Sequence, residues 1–178
     1  MDPFVVHVAR LRKVAGTRWL EARRGPVDPD GVIVPGSPAD SSVPEGADAV
    51  CEVTLESFIG GVMVTGTVSA PWRGLCRRCA SPVGGMLRIS VRERFCEPVA
   101  GGGDRGDDDA YPIMGDQLDL GPMVRDAVVL ELPLAPLCRE DCRGLCPHCG
   151  CDRNEEICGC EAPRDPRWAN LDVLRSAQ

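Results

Sequence analysis

The sequence predicts a predominantly β protein of the α+β class. It implies a twisted antiparallel sheet or partly open barrel, one packed helix and a zinc-ribbon-like C-terminal module. Three observations point there. Apolar and polar residues alternate along 49–57, 62–70 and 85–95, the period-two pattern of strands. A single segment, 119–132, shows helical spacing instead. Seven of the eleven cysteines fall between Cys138 and Cys160, at the short spacings of metal ligands. With 178 residues, the chain is long enough to bury a core of its own.

Phe4-Val-Val-His-Val8 reads as a short strand. Residues 1–24 form this strand and a basic segment, with a short helix expected between Arg10 and Arg24. Residues 25–47, rich in Gly, Pro, Ser and Asp, read as a loop. Residues 48–96 form the antiparallel β core. Its first two strands are joined at Phe58-Ile59-Gly60-Gly61, a hairpin signal. Trp72 to Cys79 forms a tight Cys-x-x-Cys turn, and the third strand follows. That strand sends Leu87, Ile89 and Val91 one way and Arg88, Ser90, Arg92 and Arg94 the other, giving one buried and one basic face. Residues 97–110, with the acidic run 104–109, read as a disordered linker.

Residues 111–137 carry the helix and its connection, with 118–120 read as a short extended entry. Asp119 is placed to cap it and Pro122 falls in the first turn. Val124, Ala127, Val128 and Leu132 share a face, and Pro133 and Pro136 stop the helix. Residues 138–178 form a cysteine-rich zinc module and a tail, in which Trp168, Leu171 and Leu174 suggest a short amphipathic turn or helix returning to the core.

Charge and composition narrow the function. The net charge is −7, from 20 basic and 27 acidic residues, which does not mark an obvious RNA binder. The distribution is uneven. Residues 1–24 carry Arg10, Arg12, Lys13, Arg18, Arg23 and Arg24 against Asp2 and Glu21. Residues 72–95 carry Arg73, Arg77, Arg78, Arg88, Arg92 and Arg94 against Glu93. Lys13 is the single lysine, and the forked guanidinium of arginine suits phosphate. Aromatic residues make up 4%, too few for a platform that stacks single-stranded bases. No apolar run approaches the roughly 20 residues of a membrane span. The N-terminus carries no signal-peptide pattern, so a cytoplasmic protein is expected.

In a reducing compartment, clustered cysteines read as metal ligands before disulfides. Cys146-Pro-His-Cys149-Gly150 has the form of a knuckle that holds one ion between two thiolates, and the glycine permits a positive φ. With Cys158 and Cys160 it completes a first four-thiolate set. Cys76, Cys79, Cys138 and Cys142 make a possible second set that would clip the β hairpin to the C-terminal segment. Cys142 could instead serve the first site, and Cys151 could substitute as a ligand. Cys51 and Cys96 lie in or beside strands and read as plain thiols, and His148 reads as an exposed knuckle residue. A closed four-thiolate site has no open position for water, so it holds a fold together and does no chemistry. The two histidines do not assemble a catalytic site. Cys76 and Cys79 sit in a turn between strands, not in the βαβ unit of a dithiol oxidoreductase. No catalytic residues and no enzyme activity are expected.

The string from Leu132-Pro-Leu-Ala-Pro-Leu-Cys138 through Cys142-Arg-Gly-Leu-Cys146-Pro-His-Cys149-Gly150, Asn154, Cys158-Gly-Cys160 and Asp165-Pro-Arg-Trp168 resembles the YceD-like family, the large-subunit ribosomal RNA accumulation proteins. Cys76-Arg-Arg-Cys79 matches that family's turn motif, and residues 119–132 resemble its helix. The resemblance covers nearly the whole chain after residue 48. Cys151, and His148 within the knuckle, depart from the pattern. The resemblance implies a non-enzymatic protein needed for accumulation, processing or stability of 23S ribosomal RNA.

The leading expectation is therefore an accessory factor for large-subunit ribosome biogenesis, stabilised by one or two structural zinc ions. Its expected partner is large-subunit ribosomal RNA or its precursor, contacted through Arg73, Arg77, Arg78, Arg88, Arg92 and Arg94. The alternative is a protein–protein adaptor for a large-subunit ribosomal protein, to which net charge −7 is suited, with indirect effects on ribosomal RNA. A third reading is a redox or metal-sensing switch. No membrane and no small-molecule substrate is expected.

Overall fold

A computed structural model describes residues 2–27, 41–98 and 110–160. Among the described residues, seven strands and one α-helix follow in order: β1 (Val5–His7), β2 (Arg18–Pro26), β3 (Asp48–Phe58), β4 (Gly61–Leu75), β5 (Pro82–Cys96), β6 (Tyr111–Met114), β7 (Gln117–Asp119) and α1 (Gly121–Glu131). The strands form one open, curled sheet, a half-barrel, in the order β1-β7-β6-β5-β4-β3-β2. The α+β, mostly β architecture expected from the sequence is what the chain adopts.

Strands β2 to β5 form an antiparallel meander. Phe58 pairs with Gly61 across a two-residue turn, where Gly60 takes φ 94°. The β4–β5 pair is the longest, running unbroken from Gly61 opposite Cys96 to Leu75 opposite Pro82. The alternation read from the sequence becomes two faces. Cys51, Val53, Leu55, Val62, Val64, Val68, Leu87, Val91 and Phe95 are buried on the concave side. Against them pack Met123, Val124 and Val128 of α1, together with Phe4, Val6, Val8 and Leu11 of the N-terminal segment. Cys51 is a core thiol, and burial pushes it up to about 11.

Two segments differ from the expectation. Residues 10–24 hold only a 3-10 turn at Leu11–Lys13 before β2 begins. The physical reason is pairing: β2 adds to the β3 edge from Arg18 opposite Glu56 to Pro26 opposite Asp48, and a strand laddered this way outweighs weak local helix preference. The chain also forms β6 ahead of the helix, and the extended entry expected at 118–120 is strand β7, Gln117–Asp119. β6 pairs in parallel with β5, Phe95 opposite Tyr111, and the two rings stack with centroids 5.1 Å apart. β7 carries β1 on its other side, Val6 opposite Leu118. Asp119 is not the cap: the N-cap is Leu120, which has no side-chain cap bond, and Asp119 one residue earlier accepts the Gly121 N–H at 2.8 Å in a local Asx turn.

The expected loop over 25–47 is described at 25–27 and 41–47. There, Ser42 and Arg73 exchange backbone hydrogen bonds of 2.8 Å in each direction. Most of the expected acidic linker, and the tail after Cys160, lie outside the described residues. Among the described residues, no helix is long and apolar enough to cross a membrane.

Candidate metal centre

The turn between β4 and β5 is a thiol knuckle. The Cys76 N–H donates to Ser81 O at 2.8 Å and the Ala80 N–H donates to Cys76 O at 2.9 Å. Ala80 thereby takes φ 58°, a left-handed conformation rare for a residue with a Cβ. Seventy residues on, the same bonds recur. The Cys146 N–H donates to Cys151 O at 2.8 Å and the Gly150 N–H to Cys146 O at 2.9 Å, with Gly150 at φ 73°. The sequence thus builds two knuckles of one geometry, one with glycine and one with alanine at the left-handed position.

The first knuckle meets the segment after α1. The sulfurs of Cys76, Cys79, Cys138 and Cys142 all lie within 4.8 Å of one another. Cys76 and Cys142 are 3.8 Å apart, and Cys79 and Cys138 are 3.6 Å apart. A tetrahedron with metal–sulfur bonds of about 2.3 Å has edges of about 3.8 Å, so these spacings fit a four-thiolate ion. Cys76, Cys79 and Cys142 are buried and Cys138 is exposed. This proximal group could hold a metal ion.

The thiols are polarised for it. Burial pushes Cys76 up, but N–H groups of Cys138, Cys79 and Arg78 outweigh that and hold it down at about 6. Cys142 is also pushed up by burial and is held below its ordinary range by the Asn154 amide and the Gly144 N–H. Burial and the neighbouring thiols push Cys138 up to about 12, so in the metal-free cluster it keeps its proton.

The second knuckle forms a distal group. Cys146, Cys149, Cys151 and Cys158 have their sulfurs within 4.8 Å of one another, and this group too could hold a metal ion. The sequence set Cys146, Cys149 and Cys158 with Cys160 as fourth ligand; the four sulfurs that come together include Cys151 in its place, and Cys160, at the end of the described residues, interacts with Cys149 and Cys146 from outside the group. Five thiols therefore crowd a site that a tetrahedral ion fills with four. N–H groups of Cys149 and His148 hold Cys146 at about 6. Cys151 and Cys160 are pushed up to about 12, each first by its contact with Cys149. His148 is exposed.

The profile of the family described as "Large ribosomal RNA subunit accumulation protein YceD" matches residues 64–175. The chain belongs to the YceD family. The match takes in both knuckles and every cysteine of both groups. An uncharacterized protein of Mycobacterium tuberculosis is 40% identical over 131 residues, covering 73% of this chain and 63% of that protein. One of Mycobacterium leprae is 36% identical over 131 residues, covering 72% of this chain and 60% of that protein. The chloroplastic YCED homolog 1 of Arabidopsis thaliana, a large ribosomal RNA subunit accumulation protein, is 32% identical over 66 residues, 36% of this chain and 21% of its own. The chain thus spans about three-fifths of the length of the mycobacterial relatives. No solved structure matches it.

In this YceD protein, the arginines singled out from the sequence fall into two places. Arg88, Arg92 and Arg94 point out from β5 on the convex face, opposite Ser69, Thr65 and Met63. Arg73 is exposed near the end of β4. Arg77 and Arg78 lie inside the first knuckle. The Arg77 N–H donates to Pro136 O at 2.9 Å. The Arg78 guanidinium donates to Cys142 O at 2.9 Å and Glu140 O at 3.1 Å, and its carbonyl accepts the Leu145 N–H at 2.9 Å. Arg78 therefore fastens the C-terminal segment to the sheet. The basic N-terminal residues are largely paired: Arg18 with Glu56 at 3.0 Å, Arg24 with Asp48 at 2.9 Å, Arg23 with Glu21 at 3.1 Å, and Arg12 with Glu97.

Sequence reasoning did not give Asn154 a role. Its side chain reaches from the distal loop to Cys142 Sγ at 3.4 Å. The available signal was Asp152-Arg-Asn154, a pattern that favours a local Asx turn, which forms here as the Asn154 N–H donating to Asp152 Oδ1 at 2.8 Å.

Proposed function

We propose that this YceD protein is a non-enzymatic accessory factor of large-subunit ribosome biogenesis, held together by two structural zinc ions. It supports accumulation of 23S ribosomal RNA in the cytoplasm and contacts the RNA or its precursor through the arginines of the convex face. The observation that carries this reading is the pair of four-thiolate groups within a chain of this family. Four thiolates favour zinc or an iron–sulfur cluster over harder ions, and the single-ion spacing of the proximal sulfurs favours zinc. Cys76, Cys79, Cys138 and Cys142 would hold one ion. Cys146, Cys149 and Cys158, with Cys160 or Cys151, would hold the other. A closed set of four sulfurs supplies cross-linking and offers substrate no coordination site.

Arg88 and Arg92 are exposed and make no ion pair among the described residues. They stand about 13 Å apart along one strand and are flanked by Thr65, Thr67 and Ser69 of β4, a polar surface suited to a phosphate backbone. Glu52, exposed on neighbouring β3, favours a second reading, in which the same face docks a basic ribosomal protein.

Gradient sedimentation of a gentle lysate, with RNA sequencing of each fraction, tests the proposal. Co-migration with large-subunit precursors, lost on RNase treatment or raised salt, is expected. Migration free of ribosomal RNA, together with capture of a purified ribosomal protein, would replace direct RNA contact by the adaptor reading.

A further inference from the structure

The two cysteine groups are bridged by one side chain. Asn154 lies between Cys151 and Cys158, within the distal loop, yet its Nδ2 donates to Cys142 Sγ of the proximal group at 3.4 Å. The amide orientation is fixed by its other bonds. Oδ1 accepts from the Arg143 N–H and from the Arg139 guanidinium, both at 2.8 Å. Both partners are obligate donors, so the oxygen must face them and the NH2 must face Cys142. Nδ2 also donates to Asp152 Oδ1 at 2.6 Å.

The loop that presents Asn154 is closed by the second knuckle. The Arg153 N–H donates to Gly144 O at 3.0 Å, and the Glu155 and Glu156 N–H groups both donate to Asp152 O. Cys146 and Cys149 enter this loop and Cys158 leaves it, so an ion on these sulfurs pins both ends of the segment carrying Asn154. Donors to ligating sulfur orient the ligand, and removing such a partner typically costs 10–100-fold in metal affinity.

We propose that Asn154 is a positioning residue that couples the two sites: an ion in the distal group fixes the loop, the loop delivers the Asn154 amide to Cys142, and the proximal group then binds its own ion more tightly. This rests on the reading that both groups bind metal.

The test is a zinc titration of the full chain against a competing chelator. It is run on the unsubstituted protein, on Asn154→Ala and Asn154→Asp, and on each of these with the distal group disabled by Cys149→Ser and Cys158→Ser. With the distal group intact, Asn154→Ala is expected to weaken the proximal site about 10–100-fold. With it disabled, the same substitution is expected to have little effect. Asp keeps the oxygen that accepts from Arg139 and Arg143 but loses the donor, so Asn154→Asp is expected to bind no better than Asn154→Ala. Substituting a merely structural asparagine would weaken the proximal site equally with the distal group disabled. With cobalt in the proximal site, the thiolate charge-transfer band is expected to shift when the donor is removed. Two ions bound with unchanged affinity in Asn154→Ala, or full retention in Asn154→Asp, would overturn the coupling while leaving both metal sites standing. A protein that takes up no zinc at all would overturn the coupling and the metal reading together.

Discussion

Cys79 and Cys138 place their sulfurs 3.6 Å apart although 59 positions separate them in the chain. One comes from the turn between the two longest strands, the other from the connection that follows the helix. An ion at this contact closes a long loop around the whole C-terminal half of the sheet. Substituting either residue should therefore act on the attachment of the segment beyond α1 and leave the meander folded. Cys79→Ser or Cys138→Ser is expected to lower bound metal from two ions to one, read by native mass spectrometry. Protease cleavage in the exposed Leu134–Leu137 connection is expected to accelerate. Two ions retained in both variants would refute the proximal set.

The distal group has one thiol more than a tetrahedral ion needs. Cys151 and Cys160 both approach Cys149, so either can complete the set. Cys151→Ser and Cys160→Ser are each expected to keep the distal ion, and the double variant is expected to lose it. Cys146→Ser and Cys158→Ser should each lose it alone. Loss in just one of the two single variants would identify the fixed fourth ligand.

Metal uptake should release protons. Cys138, Cys151 and Cys160 are pushed up to about 12, whereas Cys76 and Cys146 sit at about 6. Above pH 6 the low thiols are already ionised, and binding must displace the proton of Cys138 at the proximal site. Thiolate binds the ion and thiol does not, so affinity rises with pH, by about tenfold per unit for each proton displaced. It falls more steeply below pH 6, where Cys76 and Cys146 also protonate. Calorimetry in buffers of different ionisation enthalpy counts the protons; an affinity flat between pH 6 and 9 would contradict this assignment.

The knuckles differ in a way that single substitutions can exploit. Ala80 holds φ 58° where Gly150 holds φ 73° in the second copy. A left-handed alanine costs about 1–2 kcal/mol, so Ala80→Gly is expected to be neutral or to stabilise by up to about 1 kcal/mol. Gly144 is the opposite case. It sits at φ 71°, and a Cβ there would lie 2.7 Å from Arg78 O, the acceptor of the Leu145 N–H. Gly144→Ala is expected to cost about 1–3 kcal/mol and to loosen the proximal ion. Denaturant unfolding with chelator challenge measures both.

Charge reversal separates the convex face from the clip. Because Arg78 donates to Cys142 O and Glu140 O, reversing it disturbs the proximal site whatever its role toward RNA. Arg88→Glu with Arg92→Glu alters the face alone. Together they are expected to weaken RNA association and to reduce its salt dependence by about two ion equivalents, with metal content unchanged. Unaltered RNA binding would reject this surface.

The sequence by itself determined the central strands β3 to β5, because period-two alternation commits each to a buried and an exposed face. Leu87, Val91 and Phe95 are buried, whereas Arg88, Arg92 and Arg94 are exposed. It also determined the two knuckles, whose ligands are local: Cys-x-x-Cys followed by a residue able to turn left-handed needs no distant partner. Tertiary structure decided the rest. Residues 10–24 carry weak helical signals, and only the free edge of β3 turns Arg18–Pro26 into a strand. The same pairing sets Arg18 against Glu56 and Arg24 against Asp48, so a segment that reads as strongly basic is largely neutralised once folded. Asn154 gains its place at Cys142 only because the distal loop folds back over Gly144. Local spacing fixes which residues can share an ion or a face. Which distant groups meet them depends on strand pairing and chain return, and no window of the sequence contains both partners.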